Sequence, residues 1–160
     1  MPDVFTKAKR SEVMARIRSR GNKNTELALV QIFRANGVTG WRRHVQIRIA
    51  ERVTRNGTSP QPSPQRGEGE TIRVRPDFVF RKERLAVFVD GCFWHGCPKH
   101  GSRPKQNRKF WDAKISRNKA RDREVTRVLR RNGWRVGRIW EHELTKPERV
   151  LARFSKQIPT

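Results

Sequence analysis

The chain has 160 residues, which is enough for one domain with a single modest hydrophobic core. Lys and Arg number 38 against 15 acidic residues, so the formal net charge is +23, and self-repulsion of this size destabilises a compact protein unless a polyanion or counterions screen it. Nucleic acid is therefore the expected partner, and the alternative is a ribosomal-type or merely very soluble basic protein.

The sequence predicts no membrane-spanning segment, because it contains no run of 18 apolar residues. Its first ten residues, MPDVFTKAKR, lack the apolar core of a secretory signal. We therefore expect an intracellular protein. In a reducing compartment its two cysteines are expected to be metal ligands or free thiols and not a disulfide.

The N-terminal third predicts two helices followed by a strand. Apolar residues at helical spacing indicate a short basic helix over 7–19. A second apolar stripe predicts a helix over 24–36, with Asn24 as its N-cap and Gly37 as its C-terminal cap. Alternation over 41–49 (WRRHVQIRI) indicates a strand.

The next stretch, 54–70 (TRNGTSPQPSPQRGEGE), differs from the rest of the chain. It has three prolines, three glycines and no large apolar residue, so it has nothing to pack into a core. We predict a disordered or extended insert, bounded at about 50–71, within a single domain that spans 1–160. The alternative is a functional lid, although no aromatic or periodic feature supports one.

Two apolar runs predict a β-hairpin in the middle of the chain. The runs cover 72–80 (IRVRPDFVF) and 84–90 (RLAVFVD), and the polar residues 81–83 join them. A long helix is predicted over 107–131, with a break near 116–118 because its apolar stripe changes phase.

The C-terminal part predicts one more strand and one more helix. Asn132-Gly133 should end the long helix, and 134–140 (WRVGRIW) indicates a strand. Pro147 suits the first turn of a last helix over 147–157. The order of helices, strands, helix, strand and helix predicts an α/β domain with a central mixed sheet.

A cluster of metal-ligand residue types follows the second strand of the hairpin. Residues 89–100 read VDGCFWHGCPKH, which places Cys92, Cys97 and His100 in a loop with glycines and a proline. Such a loop can direct its side chains around a tetrahedral zinc ion, with His142 beyond the next strand as the fourth ligand. The alternative is a pair of free thiols beside solvated histidines.

The same region offers candidates for phosphodiester hydrolysis. His95 lies between the two cysteines and suits proton transfer near neutral pH. Asp77 opens one strand of the hairpin and Asp90 ends the other, so their oxygens are candidate ligands for Mg²⁺, with Glu26 as a further carboxylate. Taken singly, each acid is also an ordinary strand-end or capping residue.

Several motifs together carry a resemblance to a known family. Pro76-Asp77 followed by the strand VFVD resembles the PD-(D/E)XK nucleases, although Gly91-Cys92 stands where the usual lysine would follow. With DGCFWHGCPKH, NRKFW at 107–111, N-x-x-R-D at 118–122 and GWRVGRIWEHEL at 133–144, the chain resembles the very-short-patch repair (Vsr) DNA mismatch endonucleases. The match runs from about Arg10 to Leu144, interrupted at 50–71.

The resemblance implies a fold, an activity and partners. It implies a three-layer, restriction-endonuclease-like α/β fold with a central mixed sheet and a structural zinc site. It implies Mg²⁺-dependent nicking of double-stranded DNA on the 5′ side of the T in a T·G mismatch, which arises from deaminated 5-methylcytosine. We also expect a monomer that contacts mismatch-repair proteins. Its expected location is the bacterial cytoplasm, at the nucleoid and away from membranes.

The resemblance also implies roles for individual residues at the metal-dependent site. Asp77 aligns with the Mg²⁺-binding aspartate, and the backbone carbonyl of Val89 aligns with a further Mg²⁺ contact. Asp90 falls where some members of the family carry an active-site histidine. His95 aligns with the proposed general base, and Glu26 and Asp122 align with supporting acids.

Three aromatic residues align with the rings that wedge into the base stack beside the mismatch, namely Phe93, Trp94 and Trp111. A mismatched step is already poorly stacked, so such a wedge costs less there than at a matched step. Their alternative role is that of ordinary core aromatics. The resemblance assigns the structural zinc to Cys92, Cys97, His100 and His142.

Two rival functions remain beside this one. The first is a restriction-like or structure-specific nuclease of the same fold. The second is a catalytically inactive, zinc-stabilised DNA-binding protein, which the insert at 54–70 favours because it lies just upstream of Asp77.

Overall fold

The structure is a computed structural model that describes residues 23–50, 71–101, 104, 107–155 and 158. The helix predicted over 7–19 and the insert predicted over 54–70 lie outside these residues, so both stay predictions. In chain order the described part contains a π-helical turn Lys23–Leu27, α1 (Ala28–Ala35), β1 (Trp41–Arg43), β2 (Ile47–Ala50), β3 (Thr71–Val74), β4 (Phe78–Phe80), β5 (Leu85–Asp90), α2 (Arg108–Arg131), β6 (Arg135–Trp140), a 3-10 helix Glu141–Thr145 and α3 (Pro147–Phe154).

Helices and strands occur in the predicted order, which confirms the mixed α/β class. The chain divides into two compact units. The first comprises Met1–Thr39, Val89–Gly101 and Ile139–Thr160, and the second comprises Gly40–Phe88 and Ser102–Arg138. Within the described part, no helix combines the length and the apolar character needed to cross a membrane.

Helix α1 buries the stripe that predicted it, which consists of Leu29, Val30, Ile32 and Phe33. The predicted N-cap is wrong, because the helical segment already begins with the π-helical turn at Lys23 and therefore contains Asn24. The predicted C-terminal cap is confirmed. Gly37 has a φ of +67°, which a glycine adopts without strain, and its N–H donates to the carbonyl of Arg34 at 3.3 Å.

The central sheet has four strands in the order β1-β4-β5-β6. Strands β1 and β4 pair antiparallel, with Trp41 opposite Phe80. Strands β4 and β5 also pair antiparallel, with Phe78 opposite Val87, so the predicted hairpin is present. Strand β6 lies next to β5, as the proposed meeting of their C-terminal ends requires.

The strand predicted over 41–49 is wrong, because the chain forms two strands in two different sheets. His44 has a φ of +53°, a left-handed conformation that interrupts the extended backbone. Its N–H donates to the carbonyl of Asp77 at 3.2 Å. Strand β2 then resumes and pairs with β3, with Ile47 opposite Val74.

The run predicted as one strand over 72–80 is likewise divided. Its first half is β3, which pairs with β2, and its second half is β4 of the central sheet. Pro76 lies between them with its side chain fully buried, and a proline has no N–H to donate to a strand ladder. The division therefore occurs at the Pro76-Asp77 motif, which places Asp77 immediately before β4.

Helix α2 runs for 24 residues, and the break predicted near 116–118 does not occur. Only Val128 and Leu129 of this helix are buried. A mostly exposed helix has no need for a continuous apolar stripe, so the change of phase did not indicate a break. The helix ends at Asn132 and Gly133 as predicted, with Gly133 at a φ of +75°.

Each unit has its own buried residues. In the second unit, β2, β3, β4 and β5 pack against the last turns of α2, and the buried residues of this core are Ile47, Ile49, Val74, Val79, Ala86, Val128 and Leu129. In the first unit, α3 begins at Pro147 as predicted and buries Val150 and Phe154, which are one turn apart. The adjoining 3-10 helix buries Leu144.

Candidate functional site

Backbone hydrogen bonds within the loop after β5 stabilise its conformation. The Cys97 N–H donates to the carbonyl of Cys92 at 2.9 Å, and the Gly101 N–H donates to the carbonyl of Cys97 at 2.8 Å. Gly96 has a φ of +60°. A Cβ atom at Gly101 would lie 2.4 Å from the carbonyl oxygen of Cys97, so this position requires glycine.

Four ligand atoms converge within the first unit, one each from Cys92, Cys97, His100 and His142, and all lie within 4.8 Å of one another. The Nδ1 atom of His142 is 3.2 Å from the Cys92 Sγ and 3.6 Å from the Cys97 Sγ. The rings of His100 and His142 have centroids 4.4 Å apart. The structure thus brings together the four residues that the sequence assigned to one metal site.

This donor set fits a tetrahedral zinc ion. With bonds of about 2.3 Å to sulfur and about 2.0–2.1 Å to nitrogen, tetrahedral angles place the two ligand atoms about 3.6 Å apart. The sulfur–nitrogen distances of 3.2 and 3.6 Å agree with that geometry. Both cysteines are buried and neither forms a disulfide.

The surroundings of the Cys92 thiol raise its pKa. Burial raises its pKa, and the Cys97 thiol and the Glu141 carboxylate raise it further, whereas a hydrogen bond with the backbone of His142 lowers it. A metal ion would act in the opposite direction, because coordination deprotonates a thiol. The Glu141 carboxylate also accepts the Cys92 N–H at 3.2 Å, which ties the loop to the segment that carries His142.

A second contact holds the 3-10 helix that carries His142. The Glu143 carboxylate accepts the N–H of Trp140 at 2.8 Å and pairs with the guanidinium of Arg153 on α3. Burial favours the neutral form of Glu143, but the bonds from Arg153 and Trp140 outweigh it, so the pKa of Glu143 is lowered. The candidate ligand His142 is therefore positioned by a charged pair one residue away.

His95 lies in the same loop but faces an acid. Its Nδ1 atom is 3.6 Å from a carboxylate oxygen of Asp90, at the end of β5. Asp90 is buried, whereas His95 retains 21% of its side-chain exposure. An imidazole that faces a buried carboxylate at one nitrogen and is itself only partly buried is a candidate general base.

Asp77 lies in the second unit, directly before β4, and is half-buried. A ring nitrogen of His44 lies within 4.8 Å of its carboxylate. The sequence named Asp77 through the Pro-Asp motif but predicted no role for His44. The left-handed backbone at His44, which pattern reading does not reveal, brings the two residues together.

The remaining predicted acids lie in different units. Glu26, in the π-helical turn of the first unit, is 4% exposed. Asp122, on α2 in the second unit, pairs with the Arg138 guanidinium at 2.9 Å. The Arg138 guanidinium also lies over the ring of Phe88, 5.0 Å from its centroid. Val89, the expected carbonyl ligand, is the residue before Asp90 in β5.

The predicted wedge residues are half-buried. Phe93 and Trp94 form an edge-to-face pair with centroids 5.1 Å apart in the first unit. In the second unit, Trp111 on the first turn of α2 pairs with Phe110 in the same way at 5.3 Å. Phe110 is 53% exposed, and the sequence did not predict it as a wedge residue although it precedes Trp111 in NRKFW.

The chain is similar to known DNA endonucleases. A family model described as DNA mismatch endonuclease Vsr matches residues 59–100. The type II nicking enzyme V.NmeDIP of Neisseria meningitidis serogroup C is 37% identical over 157 residues, covering 97% of this chain and 88% of the relative. The chain belongs to the Vsr family of DNA endonucleases. This membership implies the restriction-endonuclease-like fold that the motifs predicted.

Two further Vsr-like relatives match shorter segments. The type II nicking enzyme V.NaeI of Lentzea aerocolonigenes is 52% identical over 75 residues, covering 47% of this chain and 45% of the relative. The DNA mismatch endonuclease Vsr of Escherichia coli is 37% identical over 92 residues, covering 52% of this chain and 59% of that relative. The chain therefore spans about half the length of these two proteins.

The sequence of this Vsr-family chain did not predict that Arg138 pairs with Asp122. Its position in GWRVGRIW was read only as part of a strand. An arginine within an apolar strand, on the sheet neighbour of β5, was the available signal. Its ion pair is a property of the tertiary structure, because α2 and β6 must pack for the pair to form.

Proposed function

We propose that this Vsr-family chain nicks double-stranded DNA on the 5′ side of the T in a T·G mismatch, in a Mg²⁺-dependent reaction of very-short-patch repair. One observation carries the proposal: a single loop presents two aromatic rings, packed edge to face, and His95 in consecutive positions, and His95 faces the buried Asp90. Family membership supports the same reaction class.

The chain's own oxygen ligands suit Mg²⁺. Carboxylates and backbone carbonyls are the protein ligands that this ion prefers, and we assign it to the Asp77 carboxylate and the Val89 carbonyl. When bound, Mg²⁺ supplies Lewis-acid polarisation of the phosphate and lowers the pKa of a water molecule. Glu26 and Asp122 are assigned as supporting acids on the strength of the resemblance.

His95 is assigned the proton transfer. Its Nδ1 atom faces Asp90, so Nε2 is the atom that would accept the proton from the attacking water. The buried Asp90 carboxylate stabilises the imidazolium that results and orients the ring. Asp90 thus acts as a positioning residue in this chain, where other family members carry a histidine.

Phe93, Trp94 and Trp111 are assigned the recognition of the mismatch. Inserting aromatic rings between base pairs requires unstacking, which is least costly at a step that is already mismatched. Zinc at the four-residue Cys/His site is assigned a structural role, because all four of its protein ligands are present and a closed site leaves no position for substrate. The zinc site would hold the loop that carries the rings.

A nicking assay tests the proposal directly. The full chain is incubated with duplexes that are matched or carry T·G or another single mismatch, in Mg²⁺, Ca²⁺ or EDTA. We expect nicking only of the T·G duplex and only in Mg²⁺. The variant Asp77→Ala should bind the T·G duplex in Ca²⁺ but not nick it, whereas Glu148→Ala, which removes an exposed acid on α3, should behave as the wild type.

Each rival predicts a different outcome of this assay. A nuclease with another target would nick a matched or differently mismatched duplex, and a non-catalytic binding protein would nick none. Repeating the assay after deletion of residues 54–70 shows whether the insert limits activity. Unchanged nicking by Asp77→Ala would remove Asp77 from the site.

A further inference from the structure

A second charged feature lies on the second unit, away from the Cys/His loop in sequence. It is a cavity of about 450 Å³ between the C-terminal half of α2 and strand β6, and we call it the arginine cleft. Its lining consists of Asp122, Arg123, Thr126, Arg127, Arg130 and Arg138. Three of the arginines follow one another at helical spacing on α2, so they share one face of the helix.

The arginine cleft has a net positive charge. Four guanidinium groups and one carboxylate line it, and that carboxylate, Asp122, is already paired with Arg138 at 2.9 Å. Arg127 pairs with Glu124, an exposed residue at the rim. Within the part of the chain that the structure describes, no carboxylate forms an ion pair with Arg123 or Arg130.

Hydrogen bonds among the residues that line the cleft determine which of its side chains can bind a further anion. The Thr126 hydroxyl donates to the carbonyl of Asp122 at 2.8 Å, so it is engaged within the helix. The hydrogen bond from Arg127 lowers the pKa of Glu124, which is therefore ionised near neutral pH and competes with any other anion for Arg127. The two arginines available to an added anion are consequently Arg123 and Arg130.

We propose that the arginine cleft binds phosphodiester groups of double-stranded DNA outside the mismatch. Guanidinium groups offer planar pairs of N–H donors that match phosphate oxygens, and the clustered positive charge needs an anionic partner. The cavity volume lies within the range of sites that hold small molecules, so a phosphodiester group has room to enter it. The proposal rests on DNA being the substrate, as proposed above, and it adds where the DNA backbone is held.

The position on α2 limits which phosphates the cleft reaches. Trp111, a proposed wedge residue, lies on the same helix as Arg123 and Arg130. At about 1.5 Å per residue, the two arginines are about 18 and 28 Å along the helix from Trp111. With about 3.4 Å between base pairs, the contacted phosphates lie no more than about eight base pairs from the mismatch.

The salt dependence of binding tests the proposal. The dissociation constant of the full chain for matched and T·G duplexes is measured in Ca²⁺ between about 50 and 200 mM salt, where phosphate contacts dominate the dependence. For Arg123→Gln/Arg130→Gln we expect the slope of log K against log salt to fall in magnitude by about 0.9 per lost contact. The ratio of affinities for the two duplexes should stay constant, because phosphate contacts carry no sequence information.

A control and a gain-of-binding variant accompany this pair. Arg149→Gln removes an exposed arginine on α3 and should leave the slope unchanged. Glu124→Gln removes the carboxylate that competes for Arg127, so it should tighten binding to both duplexes and increase the slope by up to about 0.9. Misfolding weakens binding, so tighter binding by this variant cannot be a result of misfolding.

Neutral phosphates locate the contact. Methylphosphonates placed one at a time within about eight base pairs of the mismatch should weaken binding of the wild type at one or two positions, and the double arginine variant should be insensitive there. A wild-type slope and wild-type sensitivity in the double variant would overturn the proposal, because Arg123 and Arg130 would then contact no phosphate of the bound duplex. If the slope falls but the wild type nicks no duplex, the cleft stands and the proposed function fails.

Discussion

At the scale of single residues, the loop after β5 brings an acid and an imidazole together that are five positions apart in the sequence. The His95 N–H donates to the carbonyl of Gly91 at 3.1 Å, so the chain turns back immediately after the strand. That turn leaves the His95 Nδ1 atom 3.6 Å from the Asp90 carboxylate. Phe93 and Trp94 lie between the two cysteines in the same segment, so the proposed recognition and the proposed chemistry belong to one short loop.

His95 and Asp90 should contribute unequally to the rate. We expect His95→Ala to slow single-turnover nicking of a T·G duplex by about 10²–10⁴-fold, as for loss of a general base. Asp90→Asn keeps the shape and removes the charge, so it should slow nicking by a smaller factor and leave duplex affinity unchanged. A normal single-turnover rate for His95→Ala would exclude it from the mechanism.

Trp94 should affect discrimination more than binding. Trp94→Ala removes a stacking surface worth about 1–3 kcal/mol per base, and we expect it to abolish the preference for a T·G duplex while binding to matched DNA is largely kept. Trp94→Phe, which retains a ring, should keep part of the preference. Competition binding with both duplexes measures this, and equal losses on the two would argue against a wedge.

At the scale of elements, two contacts fix the loop that carries Cys92, Cys97 and His100. The loop closes where Gly101 contacts the carbonyl of Cys97, and it is joined to the segment of His142 by the Glu141 carboxylate. Helix α2 is different in kind, since it is long, mostly exposed and strongly basic. Its role follows from the side chains it displays at its two ends, aromatic at the first turn and arginine-rich near the last.

A glycine pair in the same loop offers a matched test of its geometry. Gly101→Ala would place a methyl group 2.4 Å from the carbonyl of Cys97, so the loop must shift. At Gly91 the nearest side chains to the added methyl, among the described residues, would be Trp94 at 3.4 Å and Glu141 at 3.9 Å, which are ordinary contacts. We expect Gly101→Ala to lower both zinc content and melting temperature.

The control Gly91→Ala should retain about one zinc per chain and a melting temperature near that of the wild type. Zinc content is measured by elemental analysis of the purified chain, and the melting temperature by a thermal scan with and without a chelator. Equal zinc content in the two variants, or a wild type that binds no zinc, would contradict the assignment of this loop to a structural metal.

At the scale of the whole molecule, we expect the net charge of +23 to dominate the binding of DNA. With on the order of 6–10 phosphate contacts, the affinity for any duplex should fall as about the fifth to ninth power of the salt concentration. The mismatch preference should depend on salt much less, because stacking and unstacking involve few ions. Binding measured across a salt series on matched and T·G duplexes gives both quantities.

A slope far below this range would mean that most of the basic residues face away from the DNA. A control duplex of the same length and sequence with a matched pair isolates the electrostatic part of the binding. The slope of the double arginine variant then reports what share of it belongs to the arginine cleft.

Local features were well determined by the sequence. The segment 89–100 predicted three of the four residues that converge in the Cys/His group, because these three are neighbours in a short loop. Glycine and proline fixed the ends of α1, α2 and α3 through their own backbone preferences. These predictions succeeded because the physical cause lies within a few residues of the effect.

Features that depend on contacts between distant segments were decided by the tertiary structure alone. The strand at 41–49 divides because the His44 N–H bonds to the carbonyl of Asp77, and Asp122 acquires Arg138 only once α2 packs on β6. Periodicity reports which face of a segment is apolar, but it carries no information about which distant backbone or side chain will meet it. The sequence by itself therefore determined the family and the four residues of the Cys/His group, and only packing decided the strand boundaries, the setting of His44 and the arginine cleft.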